Sequence, residues 1–282
     1  MTRALDPALV SLLHDLLRKP WRFAMGLHAL DPAEWLMITD DYPAEIAEKK
    51  RLFAEGADIH RLLPEGEDAA AELGAVLAPH LARHHPAVAL EPTIESPLLR
   101  LGLALQEDLC LMLAGPDGYR LVGAFVAFPA RWTLGEKIGR PIGVIHAPVP
   151  GLEASIGRPI GLFFERLLTG HPVWRANWSI SDDPALHQPS AAFRRTGTLV
   201  TPADAGRRSW LRVERQTLTR LPETGAVLFT ILTFIAPLAA IAADPGLGPQ
   251  LAARITELPP PMLAYKNLGA NRNAIVACLE GR

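Results

Sequence analysis

The feature that most constrains this chain is an uncharged stretch from Ala226 to Ala243, directly after the turn signal Pro222-Glu223-Thr224-Gly225. Its length approaches that of a short transmembrane helix. Its first half, however, is rich in Val, Ile, Phe and Thr, which favour strands, and Pro237 then interrupts it. We therefore predict a buried strand that leads into a short helix, and no membrane span.

The segment before that turn predicts the partner strand of a β-hairpin, Ser209 to Thr219 joined to Ala226–Ile235. Side chains alternate between the two faces of a strand. The pattern puts Arg212, Glu214 and Gln216 on one face, and Arg215, Thr217 and Thr219 on the other. Such a strand is either an exposed edge or the wall of a polar cavity in which Arg and Glu pair. In a cavity, Glu214 is suited to attract an amine cation or to transfer protons.

A second hairpin is predicted earlier, from Asp108–Ala114 and Tyr119–Phe128 around a Pro-Asp-Gly turn. Val173–Ile180 adds another strand. Helices are predicted at Pro7–Leu17, Ala44–Glu55, Asp68–Arg83, Pro97–Leu105, Pro159–Leu168, Pro249–Leu258 and Asn271–Leu279. Consecutive strands joined by tight turns favour an α+β fold, with an antiparallel, PAS-like sheet of about five strands and flanking and inserted helices. We expect one domain over residues 1–282, with a PAS-like core at about 97–240.

Composition excludes several classes of function. The net charge is −2, so nucleic-acid binding is not expected. The only cysteines, Cys110 and Cys278, provide no thiolate metal site or disulfide framework. No signal peptide is visible, which predicts a cytoplasmic protein. No dinucleotide, P-loop or hydrolase motif is present, so a self-contained nicotinamide site is not expected.

The loop from Ala130 to Gly151 is the strongest candidate for chemistry, since its glycines and prolines fix a rigid course for Trp132, Lys137 and His146. A neutral imidazole in an apolar, stiff setting makes a good axial ligand for haem iron. The alternative is a core histidine bonded to a backbone carbonyl. Lys137 and Arg140 either bind an anion such as a haem propionate or are solvated surface charges. His187 is the second candidate for the ligand.

Two other segments leave their roles open. Arg175-Ala176-Asn177-Trp178-Ser179-Ile180 is a strand pattern whose polar residues form either a pocket floor or a solvent-facing side. Tyr265-Lys266-Asn267-Leu268, with Arg272 after it, either binds an anion or caps the fold.

Several runs together give a family resemblance: EKIGRPIGVIHAPVPG (136–151), RANWSI (175–180), LRVERQTLTRLPETGAVLFTI (211–231) and YKNL (265–268). With these runs the chain resembles the haem-dependent oxidative N-demethylase α-subunit family, from about Pro20 to the C-terminus. The run ERQTLTRLPETGA is the most specific part.

The resemblance implies a PAS-like haem-binding domain with additional helices. It implies haem b as cofactor and the oxidative removal of a methyl group from a secondary amine such as dimethylamine, with O₂ and two electrons. The products are formaldehyde and a primary amine. Electrons come from NADPH through a separate flavin/iron–sulfur reductase, and formaldehyde passes to tetrahydrofolate-binding subunits.

By the same resemblance, His146 is the axial ligand. Lys137, Arg140 and Trp132 contact the cofactor, and Glu214 and Arg215 face the substrate. The sequence departs from the family at Leu232 and Phe234, where many relatives are expected to have Arg and Tyr. A PAS-like protein that only senses a gas or binds a small molecule is the alternative function.

Overall fold

The computed structural model describes residues 4–22, 24–151, 158–190, 199–266 and 268–282. Asn267, which belongs to the predicted Tyr265–Leu268 motif, lies outside the described residues.

The strands form one antiparallel sheet with the order β1-β5-β6-β7-β3-β4-β2. Their bounds are β1 His28–Ala29, β2 His60–Leu62, β3 Asp108–Gly115, β4 Gly118–Phe125, β5 Val173–Ser181, β6 Trp210–Arg220 and β7 Val227–Pro237. The sheet therefore has seven strands where about five were predicted. The five long strands lie where the sequence predicts them, and the two added strands are only two and three residues long.

The helices in the described part of the chain precede, interrupt and follow these strands. They are α1 Pro7–Arg18, α2 Tyr42–Ala54, α3 Glu67–His84, α4 Pro97–Gly102, α5 Leu134–Lys137, α6 Ile142–His146, α7 Arg158–Arg166, α8 Pro202–Arg208, α9 Leu238–Ala242, α10 Leu247–Glu257, α11 Pro260–Tyr265 and α12 Arg272–Leu279. The side chain of Asp6 caps α1 by accepting from the amides of Ala8 and Leu9, as its position before Pro7 predicts.

The β6–β7 hairpin lies inside the sheet. β6 pairs with β5 on one side and β7 on the other, so it is not an exposed edge. The uncharged stretch 226–243 forms β7 and then α9, as predicted. Within the described residues, no helix combines the length and apolarity needed to cross a membrane.

One face of the sheet, here called the closed face, is covered by helices along its centre. Leu211 and Val213 of β6 and Leu232 of β7 are completely buried there. They belong to an apolar core with residues of α1, α9, α10 and α12. Complete burial of a Leu or Val side chain stabilises a fold by about 1.5–3 kcal/mol, so this packing fixes the sheet against its helices.

The opposite face, here called the open face, is covered only in part. Near one end an apolar cluster closes it, in which Phe164 and Leu167 meet Leu218 and Val227. Along the middle of the face, alternate positions on the inner strands remain only half-buried. These are Arg175 and Asn177 of β5, Glu214 and Gln216 of β6, and Phe229 and Ile231 of β7. The incomplete cover leaves polar and apolar side chains together at the centre of the sheet.

Candidate functional site

Five ionisable side chains at the open face interact, and we call them the open cluster: Lys137, His146, Arg175, Glu214 and Lys266. They come from α5, α6, β5, β6 and the residue after α11. Three of them, Lys137, His146 and Glu214, were predicted site residues. Arg175 and Lys266 were each left between a functional and a structural role.

His146 is the last residue of α6, which rests on β4 through the Arg120–Pro141 bridge. Its Nδ1 lies 3.0 Å from the carbonyl oxygen of Ile142. A carbonyl only accepts, so Nδ1 carries the proton and Nε2 keeps its lone pair. Burial lowers the pKa of His146, and the cations of Arg175 and Lys137 lower it further. The ring is therefore a neutral imidazole near pH 7. It has the carbonyl bond expected of a structural histidine, and its Nε2 is in the form that ligates a metal, so both roles stay open on this geometry.

α6 reaches well over the sheet. It rests on β4, whereas Arg175 belongs to β5, four strands away in the sheet order. In a flat sheet those strands would lie about 19 Å apart. Ile145 of α6 and Phe229 of β7 nevertheless pack against the same apolar cluster, so α6 extends over the inner strands of the open face. The guanidinium of Arg175 lowers the pKa of His146, as this placement of the ring predicts.

Arg175 is half-buried on the open face, and burial lowers its pKa while Glu214 and Tyr265 oppose that change. Its Nε is buried and has no hydrogen-bond partner among the described residues. A buried donor without a partner costs about 1–3 kcal/mol. A ligand atom that accepted a hydrogen bond from this Nε would remove that cost.

Glu214 is held by its strand neighbours. Its Oε2 accepts from Nε2 of Gln216 at 3.0 Å, and its Oε1 lies 3.6 Å from Nε of Arg212. Arg212 is buried and donates to the carbonyl oxygens of Leu186 and Phe128. Glu214 thus has a fixed position at the centre of the open face and remains accessible.

Lys266 reaches the site from the C-terminal helices. Its Nζ donates to the carbonyl oxygen of Trp178 and, at 3.1 Å, to Oδ1 of Asn177. It also lies 4.6 Å from the centre of the Trp178 ring, within range of a cation–π contact. Burial lowers its pKa to about 8. Lys266 therefore anchors the C-terminal helices to β5 and adds a positive charge that interacts with Glu214.

The other predicted cofactor contacts lie around α5 and α6. Lys137 Nζ donates to the carbonyl oxygen of Ile145 at 3.0 Å, next to His146, and burial lowers its pKa. Trp132 is half-buried against the apolar cluster of the open face. The Arg140 side chain is exposed.

Arg215 and Glu214 do not share a site. Arg215 points to the closed face and donates to the carbonyl oxygens of Glu34, at 2.6 Å, and Trp35, at 3.2 Å. Adjacent residues of a strand face opposite sides of the sheet, so Arg215 lies away from His146. Its observed contacts are those of a residue that anchors a loop.

His187, the second candidate ligand, lies outside the open cluster. Its Nδ1 is 2.6 Å from the carbonyl oxygen of Ala127, and it helps to lower the pKa of Glu48 on α2. The structure therefore brings His146, and not His187, to the other predicted site residues.

The two residues that depart from the expected family pattern do not lie on the open face. Leu232 and Phe234 are buried in the core of the closed face. Thr233 between them is paired with Glu214 and lies on the open face, where its Oγ1 is buried without a hydrogen-bond partner among the described residues. The two apolar residues therefore change the core and not the side chains beside Glu214.

The chain matches the protein-family model described as haem-dependent oxidative N-demethylase, alpha subunit-like, over residues 26–91 and 87–276. The match includes all of the open cluster. The chain belongs to this family. The resemblance seen in the short motifs is thereby confirmed, and the family name supports haem dependence and assembly with other subunits.

Proposed function

We propose that the chain is the haem-containing subunit of a monooxygenase that demethylates a secondary amine similar to dimethylamine. The balanced reaction joins the amine, O₂, two electrons and two protons to give the primary amine, formaldehyde and water. The family match carries this proposal. Half-buried apolar and polar side chains side by side on the open face support it, because they suit a large ligand with both kinds of surface.

The residues present fit haem b. His146 offers a neutral imidazole whose Nδ1 is fixed by a carbonyl, and a bond of this kind sets the orientation of metal-binding histidines. Lys137 and Arg140 supply positive charge for the propionates, and Trp132 supplies an apolar contact. When bound, haem supplies the O₂ and electron-transfer chemistry of the reaction. Lys137 also holds the end of α6 through the Ile145 carbonyl, which keeps the His146 ring in place.

Glu214 is our candidate for the substrate side. Its carboxylate lies at the centre of the open face and attracts the ammonium group of an amine. It is also suited to take the proton that the amine must lose before oxidation. Arg215 is not included, because it faces away from this position.

The remaining parts of the proposal come from the family. We infer that electrons reach the haem from NADPH through a separate flavin/iron–sulfur reductase, and that tetrahydrofolate-binding subunits receive the formaldehyde. We infer a PAS-like core at about 97–240 inside a single domain over residues 1–282, and a cytoplasmic location. One sheet of five long strands, with α5, α6 and α7 between β4 and β5, supports the PAS-like assignment.

An absorption spectrum tests the proposal directly. We expect the wild type to bind haem b with a Soret band, and His146→Ala to lose or change that band, while His187→Ala keeps it. A chemical reductant and dimethylamine should then release formaldehyde from the wild type. A haem spectrum without formaldehyde would favour a gas sensor, and no haem binding would favour a small-molecule-binding protein.

A further inference from the structure

Positive charge at the open cluster exceeds negative charge. Arg175, Lys137 and Lys266 are cations, and Glu214 is the one carboxylate among the described residues that acts on both Arg175 and Lys266. Excess charge in a half-buried setting is unfavourable unless a counter-ion is present. The open face is therefore prepared for a ligand with negative charge.

Arg175 is the cation with an unused donor. Lys137 donates to the Ile145 carbonyl, and Lys266 donates to Asn177 and Trp178. The Nε of Arg175, by contrast, is buried and without a partner among the described residues. Glu214 does not fill this position: it makes no hydrogen bond to Nε of Arg175, and its observed contacts are with Gln216 through Oε2 and with Arg212 through Oε1.

We propose that Arg175 is a carboxylate-binding residue of the open face and takes its ligand through Nε and the neighbouring guanidinium nitrogen. A guanidinium matches a planar carboxylate with two parallel hydrogen bonds. The proposal deepens the proposed function and rests on it for the haem. Two sources of the carboxylate exist: a propionate of haem b, or a carboxylate on the amine itself, as in an N-methyl amino acid.

The second source would change the substrate class. Dimethylammonium finds one attractive group, Glu214, and is repelled by Arg175 and Lys266. An N-methyl amino acid presents its ammonium group to Glu214 and its carboxylate to Arg175. Charge complementarity then favours the zwitterion over the simple cation.

Binding measurements with two variants of Arg175 test this. Arg175→Gln removes the charge, and Arg175→Lys keeps the charge but not the paired geometry. Arg61→Gln is the control, because Arg61 pairs with Asp58 and is about half exposed. Haem b and its dimethyl ester, which has no free carboxylate, are titrated into each protein by absorbance. Thermal unfolding checks that each variant is folded.

If a propionate is the ligand, Arg175→Gln should weaken haem b binding at least tenfold and change ester binding less than twofold. If the substrate carries the carboxylate, haem affinity should stay the same in every variant. N-methylglycine should then shift the Soret band of the wild type and Arg61→Gln, and this shift should be lost in Arg175→Gln. In either case, the effect of Arg175→Lys on the affected quantity, the haem b affinity or the Soret shift, should be smaller than that of Arg175→Gln.

The proposal is overturned if Arg175→Gln and the wild type have the same affinity for haem b and for the ester and show the same Soret shift with N-methylglycine. If the wild type binds no haem, the proposed function fails, and Arg175 is then tested alone by calorimetry with N-methylglycine. Binding to the wild type but not to Arg175→Gln would retain the carboxylate site, and no binding to either would reject it. Should Arg175→Gln not fold, Arg175→Lys decides through the same comparisons.

Discussion

Two groups of buried charges lie on this sheet, and they differ in how their charges are balanced. The closed network consists of Glu45, Lys49, Glu107, Asp108 and Arg215, and it links α2 to β3 and β6. Its two cations each interact with a buried carboxyl group, Lys49 with Asp108 and Arg215 with Glu107. Lys49 Nζ lies 3.1 Å from Asp108 Oδ1 and donates to two carbonyl oxygens, and Asp108 accepts from the amides of Ala127 and Phe128.

The open cluster has no such balance. Its cations outnumber its carboxylate, and Arg175 keeps a buried donor unused among the described residues. Both groups carry perturbed pKa values, so perturbation alone does not separate structure from function. Both groups also contain buried polar atoms without a hydrogen-bond partner among the described residues, Glu45 Oε2 and Glu107 Oε2 in the closed network and Arg175 Nε in the open cluster. What separates them is the charge balance. The carboxyl groups of the closed network match its two cations, Lys49 and Arg215, whereas the cations of the open cluster outnumber its carboxylate.

Lys49→Met should give the largest loss of stability, because it removes the cation that lies 3.1 Å from the buried Asp108 carboxylate. We expect the free energy of unfolding to fall by about 3–5 kcal/mol, measured by urea denaturation. Lys50→Met, on the exposed neighbouring position, is the control and should change it by less than about 0.5 kcal/mol. Adding Asp108→Asn to Lys49→Met should recover part of the loss. A loss under about 1 kcal/mol in the single variant would contradict the closed network.

Glu45 should make the stability of the closed network depend on pH. Burial raises its pKa to about 8. Between pH 4.5 and 8 the unfolded chain releases the proton that the folded chain keeps, so stability falls as the pH rises. Glu45→Gln removes this loss. The free energy of unfolding of the variant minus that of the wild type should therefore be roughly 2–4 kcal/mol larger at pH 8.5 than at pH 4.

The control for that comparison is Glu48→Gln on the same helix. A hydrogen bond from Arg51 lowers the pKa of Glu48, so the stability gained from this carboxylate is present above its ordinary pKa and is lost in acid. The two variants should therefore differ from the wild type with opposite pH trends. Chemical denaturation at pH 4, 6 and 8.5 measures both, and equal trends would refute the assignment.

Arg215→Met should affect stability and leave ligand binding intact. Arg215 donates two buried hydrogen bonds to the loop at Glu34 and Trp35. Hydrogen bonds from a charged group are worth about 1.5–3 kcal/mol each, but Met also removes the cost of burying the guanidinium, which offsets part of that loss. We expect the free energy of unfolding to fall by about 2–3 kcal/mol with haem affinity unchanged. A tenfold loss of haem affinity in folded protein would instead give Arg215 a role at the site.

The faces of β6, the cap of α1, the turn before β7 and the five long strands are predictable from the sequence, because they depend on local geometry. Alternation along β6 separates Glu214 from Arg215 before any tertiary contact is known, and the structure has this separation. The cap at Asp6 and the turn before β7 are equally local signals. The five long strands follow from the same kind of pattern.

Other features depend on contacts far apart in the chain. β1 and β2 are too short to leave a periodic signal, and α5 and α6 lie in a stretch predicted as loop. Lys266 bonds β5 across 88 positions. The placement of α6 and the C-terminal helices therefore decides whether Arg175 faces a pocket or solvent. Strand alternation predicts the face of the sheet on which Arg175 lies, but not which elements cover that face.

Glu214→Gln should have the smallest effect on stability and a clear effect on chemistry. Its nearest cation, Arg212, keeps its bonds to the Leu186 and Phe128 carbonyls and its attraction to Asp108, so the free energy of unfolding should change by about 1 kcal/mol or less. Without the carboxylate, the ammonium group loses its attraction and its proton acceptor. Formaldehyde release at saturating amine should fall about 10²-fold or more. Arg215→Met is the matched neighbour and should keep the wild-type rate, whereas equal rates in wild type and Glu214→Gln would remove Glu214 from the site.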